Sequence, residues 1–354
     1  MSKDVREAAS REPHEKEDVH RLDEARLNRY LGERLQDGQG ALRAHRLKGG
    51  ASNPTYILFA GERPLYVLRK KPPGVLLPSA HQIEREYRVM AALDGTDVPV
   101  PRMRLLCEDA SIIGTAFYVM DFIDGRIFRD PKLPDLSPAE RTLAYESFTD
   151  VMVKLHSVDP DKVGLADFGR PGSYFERQIA RWIKQYRGAQ TEEIPAMERL
   201  IAELPGRLPA TESVSVAHGD FRMENMMFHP SEPRVIALLD WELCTLGSPL
   251  ADLGFACIGY HATIPGFGAL DNVDFAMSGI PDEAAFVAAY CKRTGRTEIS
   301  NWPFYVAFAL FRLASISQGV FKRGLDGIGT RAEDREVNLA PYIAGRGVAM
   351  LDRL

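Results

Sequence analysis

His218-Gly219-Asp220 is followed, five positions after the aspartate, by Asn225, and Asp240-Trp241-Glu242 closes the apolar run Val235-Ile236-Ala237-Leu238-Leu239. A loop carboxylate at Asp220 is suited to accept the proton of a substrate hydroxyl, while the Asn225 amide oxygen turns back toward a cation. Asp240, leaving the end of a strand, adds an anionic oxygen able to bridge Mg2+ to phosphate oxygens. Taken singly, Asp220 reads equally as an Asx turn and Asp240 as a helix N-cap. The joint spacing points to phosphoryl transfer onto a hydroxyl.

Those residues need elements to hold them. From Ala41 to Lys70, short apolar runs broken by Gly49-Gly50 and by Gly61-Glu62-Arg63-Pro64 predict three antiparallel strands. Leu27, Tyr30, Leu31 and Leu35 before them form the stripe of an amphipathic helix, and residues 1 to about 20 read as a charged, disordered arm. A helix from Ser79 to Leu93 and strands at Pro101 to Cys107 and Ala116 to Phe122 complete a small antiparallel sheet carrying one helix. After Asp124-Gly125 helical periodicity dominates: Ala139 to His156, Gly172 to Arg187, Met197 to Leu204, Asp282 to Arg293, Pro303 to Lys322 and the stretch from Val337. The expected strand-like interruptions lie between Val214 and Leu239, where the chemistry-bearing residues sit.

Composition narrows the partners. The 354 residues carry 44 Lys+Arg against 49 Asp+Glu, a formal net charge of −5, and show no long basic run, which argues against nucleic acid and anionic membrane surfaces. Neither a secretory leader nor 18 consecutive apolar residues is visible, so no membrane partner is expected. The four cysteines form no CxxC pair, and the cytoplasm is the expected location. Nothing in the sequence sets an oligomeric state.

His218-Gly219-Asp220 with Asn225 and Asp240 resembles the signature of the aminoglycoside phosphotransferase and choline kinase family. Within it, the segment from Ala217 to Phe255 most resembles the kinase-like domain fused to some acyl-CoA dehydrogenases. The resemblance implies an α+β, bilobal protein-kinase-like fold. A nucleotide-binding lobe over residues 21–122 would carry the small antiparallel sheet and its helix, and a mainly helical catalytic and substrate-binding lobe would span 123–354. ATP as co-substrate and Mg2+ held by Asn225 and Asp240 are implied, with Asp220 as the catalytic base.

In the nucleotide lobe, Gly50, Ser52 and Asn53 would let backbone N–H groups approach phosphate oxygens, although a plain hairpin turn fits the same residues. Arg69 stands at the place of the kinase strand-three lysine. Lys70 is the alternative, set against by strand alternation. Glu86 is the expected acidic partner, with Glu84 as its rival, and Asp121 to Ile123 lie where a hinge would meet an adenine edge. His156 and His218 are expected to be structural and Asp252 to orient the catalytic loop. The implied acceptor is a small-molecule hydroxyl, by closest resemblance that of a hydroxyacyl-CoA, with Lys322 and Arg323 as possible phosphate contacts. An aminoglycoside or amino-alcohol kinase and an inactive nucleotide-binding module are the alternatives.

Overall fold

The computed structural model describes residues 22–35, 40–47, 53–72, 82–170, 172–265, 267–327 and 337–354. They divide into two compact units: residues up to Arg126 with Met227–Glu232 and Ile236–Glu242, and the remainder. Along this division the chain first changes unit after Arg126, and two later segments return to the first unit. The second of these carries Asp240.

In the first unit, α1 (Glu24–Gly32) is capped by Asp23 and buries Leu27 and Leu31. Strands β1 (Leu42–Arg46), β2 (Thr55–Ala60), β3 (Arg63–Lys70), β4 (Met103–Cys107) and β5 (Phe117–Asp121) form one antiparallel sheet in the order β1-β2-β3-β5-β4. Alternation along β3 buries Tyr66, Leu68 and Lys70 and leaves Val67 and Arg69 on the other face. Tyr66 and Leu68 join Leu58, Phe117, Val119 and α1's leucines in the core. Helix α2 begins at Ile83, and the predicted start at Ser79 falls outside the described residues. Its buried face includes a carboxylate, Glu86.

A short strand β6 (Arg126–Ile127) pairs with β8 (Met226–Phe228), which pairs with β9 (Val235–Leu238); most of these residues belong to the first unit. The second unit holds α3 (Pro138–His156), α4 (Tyr174–Ala189), α5 (Pro195–Glu203), β7 (Ser215–Ala217), β10 (Thr245–Gly247), α6 (Pro249–Ala256), α7 (Glu283–Thr294), α8 (Trp302–Leu325) and α9 (Ala340–Leu351). Ser137 and Glu140 close a capping box on α3. Helix α8 is long and apolar enough to cross a membrane, but 72% of its apolar window is buried inside the protein. Ten consecutive residues, Phe304 to Leu313, are buried, so it is the unit's central core helix. Strands β6 and β10 and helix α6 extend the predicted elements: β6 and β10 are too short to show periodicity, and α6 is buried on all sides and shows no amphipathic stripe.

Candidate active site

In the first unit the Arg69 side chain, 15% exposed, lies among three carboxylates. Its Nη1 stands 3.4 Å from Glu86 Oε2, and its Nη2 stands 3.2 Å from Asp240 Oδ1 and 3.9 Å from Glu242 Oε2. Burial opposes the guanidinium charge, yet Tyr118, Glu86, Asp240 and Glu242 together hold its pKa above the ordinary value. Glu86 is 1% exposed; its Oε1 accepts from Asn53 Nδ2 at 2.8 Å and its Oε2 from the Tyr118 hydroxyl at 3.0 Å. Burial pushes the Glu86 carboxyl up, against the pull of Arg69 and the two hydrogen bonds. The strand and helix thereby place one cation at the end of an acid-lined surface, which suits it to oppose phosphate charge.

Several alternatives separate here. Glu84 is taken by Lys71, not by Arg69. Lys70 is buried on the opposite face of β3, as alternation expects. The Asn53 side chain is 2% exposed, and its amide donates to Glu86, so it positions that carboxylate. Gly50 and Ser52 lie outside the described residues. At Asp121 the N–H already donates to Arg102 O at 2.9 Å and the carboxylate pairs with Arg104, while Phe122 N–H donates to Leu65 O. The amide donor left for a ligand in this segment is that of Ile123.

Asp240 sits just past β9 with φ of 64°, a left-handed conformation that costs a non-glycine residue about 1–3 kcal/mol and is typical of functional turns. Trp241 anchors the turn from inside, its indole N–H donating to Leu238 O at 2.9 Å. The Asp240 side chain is 37% exposed, so an oxygen remains available beside the one facing Arg69.

The second unit holds the other half of the predicted residues, arranged from a buried carboxylate outward. Asp252, on α6 and 1% exposed, accepts from the N–H groups of His218 (2.6 Å) and Gly219 (2.8 Å) and lies 3.3 Å from His156 Nε2. His156 Nδ1 meets the Tyr290 hydroxyl at 2.9 Å, so this histidine, closing α3, is a tether. Burial works to raise the Asp252 pKa, but His156, His218 and the Gly219 N–H outweigh it and hold the carboxyl low. His218 Nδ1 in turn accepts from the Asp220 N–H at 3.2 Å. Gly219 has φ of 84°, and a Cβ there would meet Leu243 O at 2.6 Å.

The loop so held presents Asp220. Asn225 Nδ2 donates to both Asp220 O and Asp220 Oδ2 at 2.8 Å. With its N–H groups committed to Asp220, the Asn225 amide has its carbonyl oxygen as the atom it could offer a cation. An amide oxygen here and the carboxylate of Asp240 are hard oxygen donors, the chemistry Mg2+ prefers over Zn2+. Among the described residues no cluster of three His, Cys, Asp or Glu side chains offers a competing metal site.

Two residues without a role in the sequence reading complete this half. Arg222 places Nε 3.4 Å from Asp220 Oδ1, pairs with Glu224 and packs its guanidinium 5.0 Å from the Phe267 ring. Their signal was the charge alternation after Asp220, which also fits a solvated loop. Beside them opens a cavity of about 540 Å³ including its mouth, walled by Tyr145, Phe148, Tyr260, Phe267 and Phe286. Its charged lining is Arg129, Arg222 and Glu224. Lys322, suggested as a phosphate contact, is instead paired with Asp326 one turn on.

Residues 43–302 match the model of the phosphotransferase enzyme family. The chain is 49% identical over 280 residues to mouse acyl-CoA dehydrogenase family member 10 and 43% identical over 318 residues to human acyl-CoA dehydrogenase family member 11. These alignments cover 78% and 87% of this chain but 26% and 40% of those proteins, so the chain spans less than half of either relative. A Ralstonia eutropha crystal structure, provisionally described as an aminoglycoside phosphotransferase, superposes with a TM-score of 0.85 at 44% identity, covering 94% of this chain and 99% of that one. The streptomycin–ATP–APH(2'')-IIa ternary complex matches with a TM-score of 0.57 at 16% identity over 94% and 97% of the two chains, which shows a shared α+β, protein-kinase-like fold.

Proposed function

The chain belongs to the phosphotransferase enzyme family, and from that premise we propose that it moves the γ-phosphoryl group of ATP, with Mg2+, to a hydroxyl of a small acyl compound, a hydroxyacyl-CoA. Support for ATP comes from the ternary complex of the structural neighbour, and support for an acyl acceptor from the names of the long relatives. The observation that carries the acceptor reading is the cavity beside Arg222: aromatic walls with two arginines and one glutamate suit an apolar chain and disfavour a polycation. Four buried, free cysteines accord with our placing the reaction in the cytoplasm.

In this reading each unit does one task. Arg69, kept charged by its carboxylate neighbours, clamps the nucleotide phosphates, and Glu86 fixes the direction of its guanidinium. Mg2+, when bound by Asn225 and Asp240, neutralises the phosphate oxygens. Asp220 accepts the hydroxyl proton at Oδ1, since Oδ2 is held by Asn225. Arg222, beside Oδ1, keeps that carboxylate aimed. Because most of the acceleration in phosphoryl transfer comes from positioning and charge neutralisation, Asp252 matters through the loop it holds.

ADP release measured over a panel of hydroxyacyl-CoAs, free hydroxy acids, amino alcohols and aminoglycosides tests the proposal. Turnover should be highest with a hydroxyacyl-CoA. Preference for an aminoglycoside sinks the acyl reading, and ATP binding without transfer to any acceptor favours an inactive nucleotide-binding module.

A further inference from the structure

The second unit contains a buried arginine that the proposed reaction does not use. Arg312, in the middle of α8, is 5% exposed, and among the described residues no hydrogen bond or ion pair engages it; its Nε is buried without a partner there. Its guanidinium is held between two rings, 5.4 Å from Trp182 and 5.0 Å from Phe255. A second guanidinium, that of Arg181, lies 5.4 Å from the same Trp182 ring and has no acidic partner either. Desolvation and, after it, the Arg312 charge push the Arg181 pKa down, so the two cations feel each other.

Arg312, the buried member of the pair, calls for an anion. Leaving a buried charge without a counter-charge is among the costliest arrangements a core can hold. The two carboxylates that act on Tyr174 together with these arginines have other partners: Asp252 has His156, His218 and Gly219, and Glu212 has Ser173 Oγ and the Tyr174 N–H. Two neutral donors point to the same conclusion. Of the three tryptophans, Trp241 donates to Leu238 O and Trp302 to Glu283, whereas the Trp182 indole N–H is buried and unpartnered. The Tyr174 hydroxyl, one helical face back along α4, feels both arginines and is pushed up to about 12 by burial, so it stays a neutral donor.

We propose that Arg312, Arg181, Trp182 and Tyr174 form an oxyanion site whose ligand is a phosphoryl group of a small molecule. Two fixed positive charges match a phosphate dianion, where a carboxylate would neutralise only one of them. The site adjoins the aromatic cavity through Phe255, which lines the cavity and carries Arg312 against its ring. It stands on side chains outside the proposed transfer machinery and does not depend on the reaction assigned there.

Titrating inorganic phosphate into the full chain by calorimetry, with tryptophan emission followed in parallel, tests the site. Arg312→Met and, separately, Arg181→Met should each weaken phosphate binding by about tenfold or more. The emission change should persist in Arg69→Met and vanish in Trp182→Phe, and acetate should bind more weakly than phosphate. Arg181 is exposed, so its variant reads the site even if Arg312→Met does not fold. Absence of a phosphate-induced emission change, a change that survives both arginine substitutions, or its loss confined to Arg69→Met overturns the site. Acetate binding as tightly as phosphate overturns its phosphoryl assignment.

Discussion

Asp220 and Asp240 carry the same carboxylate in two different settings, and substitution should separate their work. Asp220→Asn is nearly isosteric and keeps a hydrogen-bonding partner for Asn225, so MgATP affinity should stay near wild type while single-turnover transfer falls by about 10²–10⁴-fold. Transfer at the wild-type rate would remove Asp220 from the proton-accepting role. Asp240 carries backbone strain as well as charge. Asp240→Gly deletes the oxygen proposed to hold Mg2+ but suits the φ of 64°, whereas Asp240→Ala deletes the same oxygen and keeps the strain. Both should lose the Mg2+ dependence of ATP affinity in calorimetry, with the glycine variant the more stable to heat by about 1 kcal/mol. Equal melting temperatures would mean that the left-handed turn stores no strain.

At the scale of elements, β3, α2 and the catalytic loop were legible because their roles rest on period and spacing. Alternation separated Arg69 from Lys70 before any coordinate did, and His218 to Asn225 form one loop whose spacing is its geometry. The side-chain work of Asn53 was not legible, because only the fold brings Glu86, 33 positions away, onto its amide. Arg222, Glu224 and the aromatic cavity were also out of reach, since the walls come from segments spread between Arg129 and Phe286. Asp252 shows how elements bind one another: α6 reaches the loop after β7 and the end of α3 through one carboxylate. Its pKa is held below the ordinary value, so the stability it contributes is fully present above the unfolded value of about 3.9 and is lost as pH falls through the lower folded-state value. Asp252→Asn should therefore cost about 3 kcal/mol in urea unfolding at neutral pH, and the gap from wild type should shrink below pH of about 4. A gap that stays constant down to pH of about 3 would show that the charge of Asp252 is not what holds the loop.

For the whole molecule, the proposed function puts phosphate clamping in one compact unit and acceptor recognition in the other. That division has a kinetic consequence. Gly259 borders the cavity, and a Cβ built there finds its nearest neighbour, Leu270 Cγ, at 3.8 Å, so Gly259→Val fits the backbone while filling space meant for the acceptor. It should raise the acceptor KM about tenfold or more, according to how much of the apolar chain it displaces, and leave the ATP KM unchanged. Arg69→Met should do the reverse, lowering kcat/KM for ATP without altering the acceptor's ground-state affinity. Since the two residues share no partner, the double variant should lose the sum of the two free energies to within about 0.5 kcal/mol. A large coupling term would show that acceptor and nucleotide sites report to one another. A Gly259→Val enzyme with wild-type acceptor kinetics would place the acceptor outside the aromatic cavity, and the acyl reading would lose the observation on which it stands.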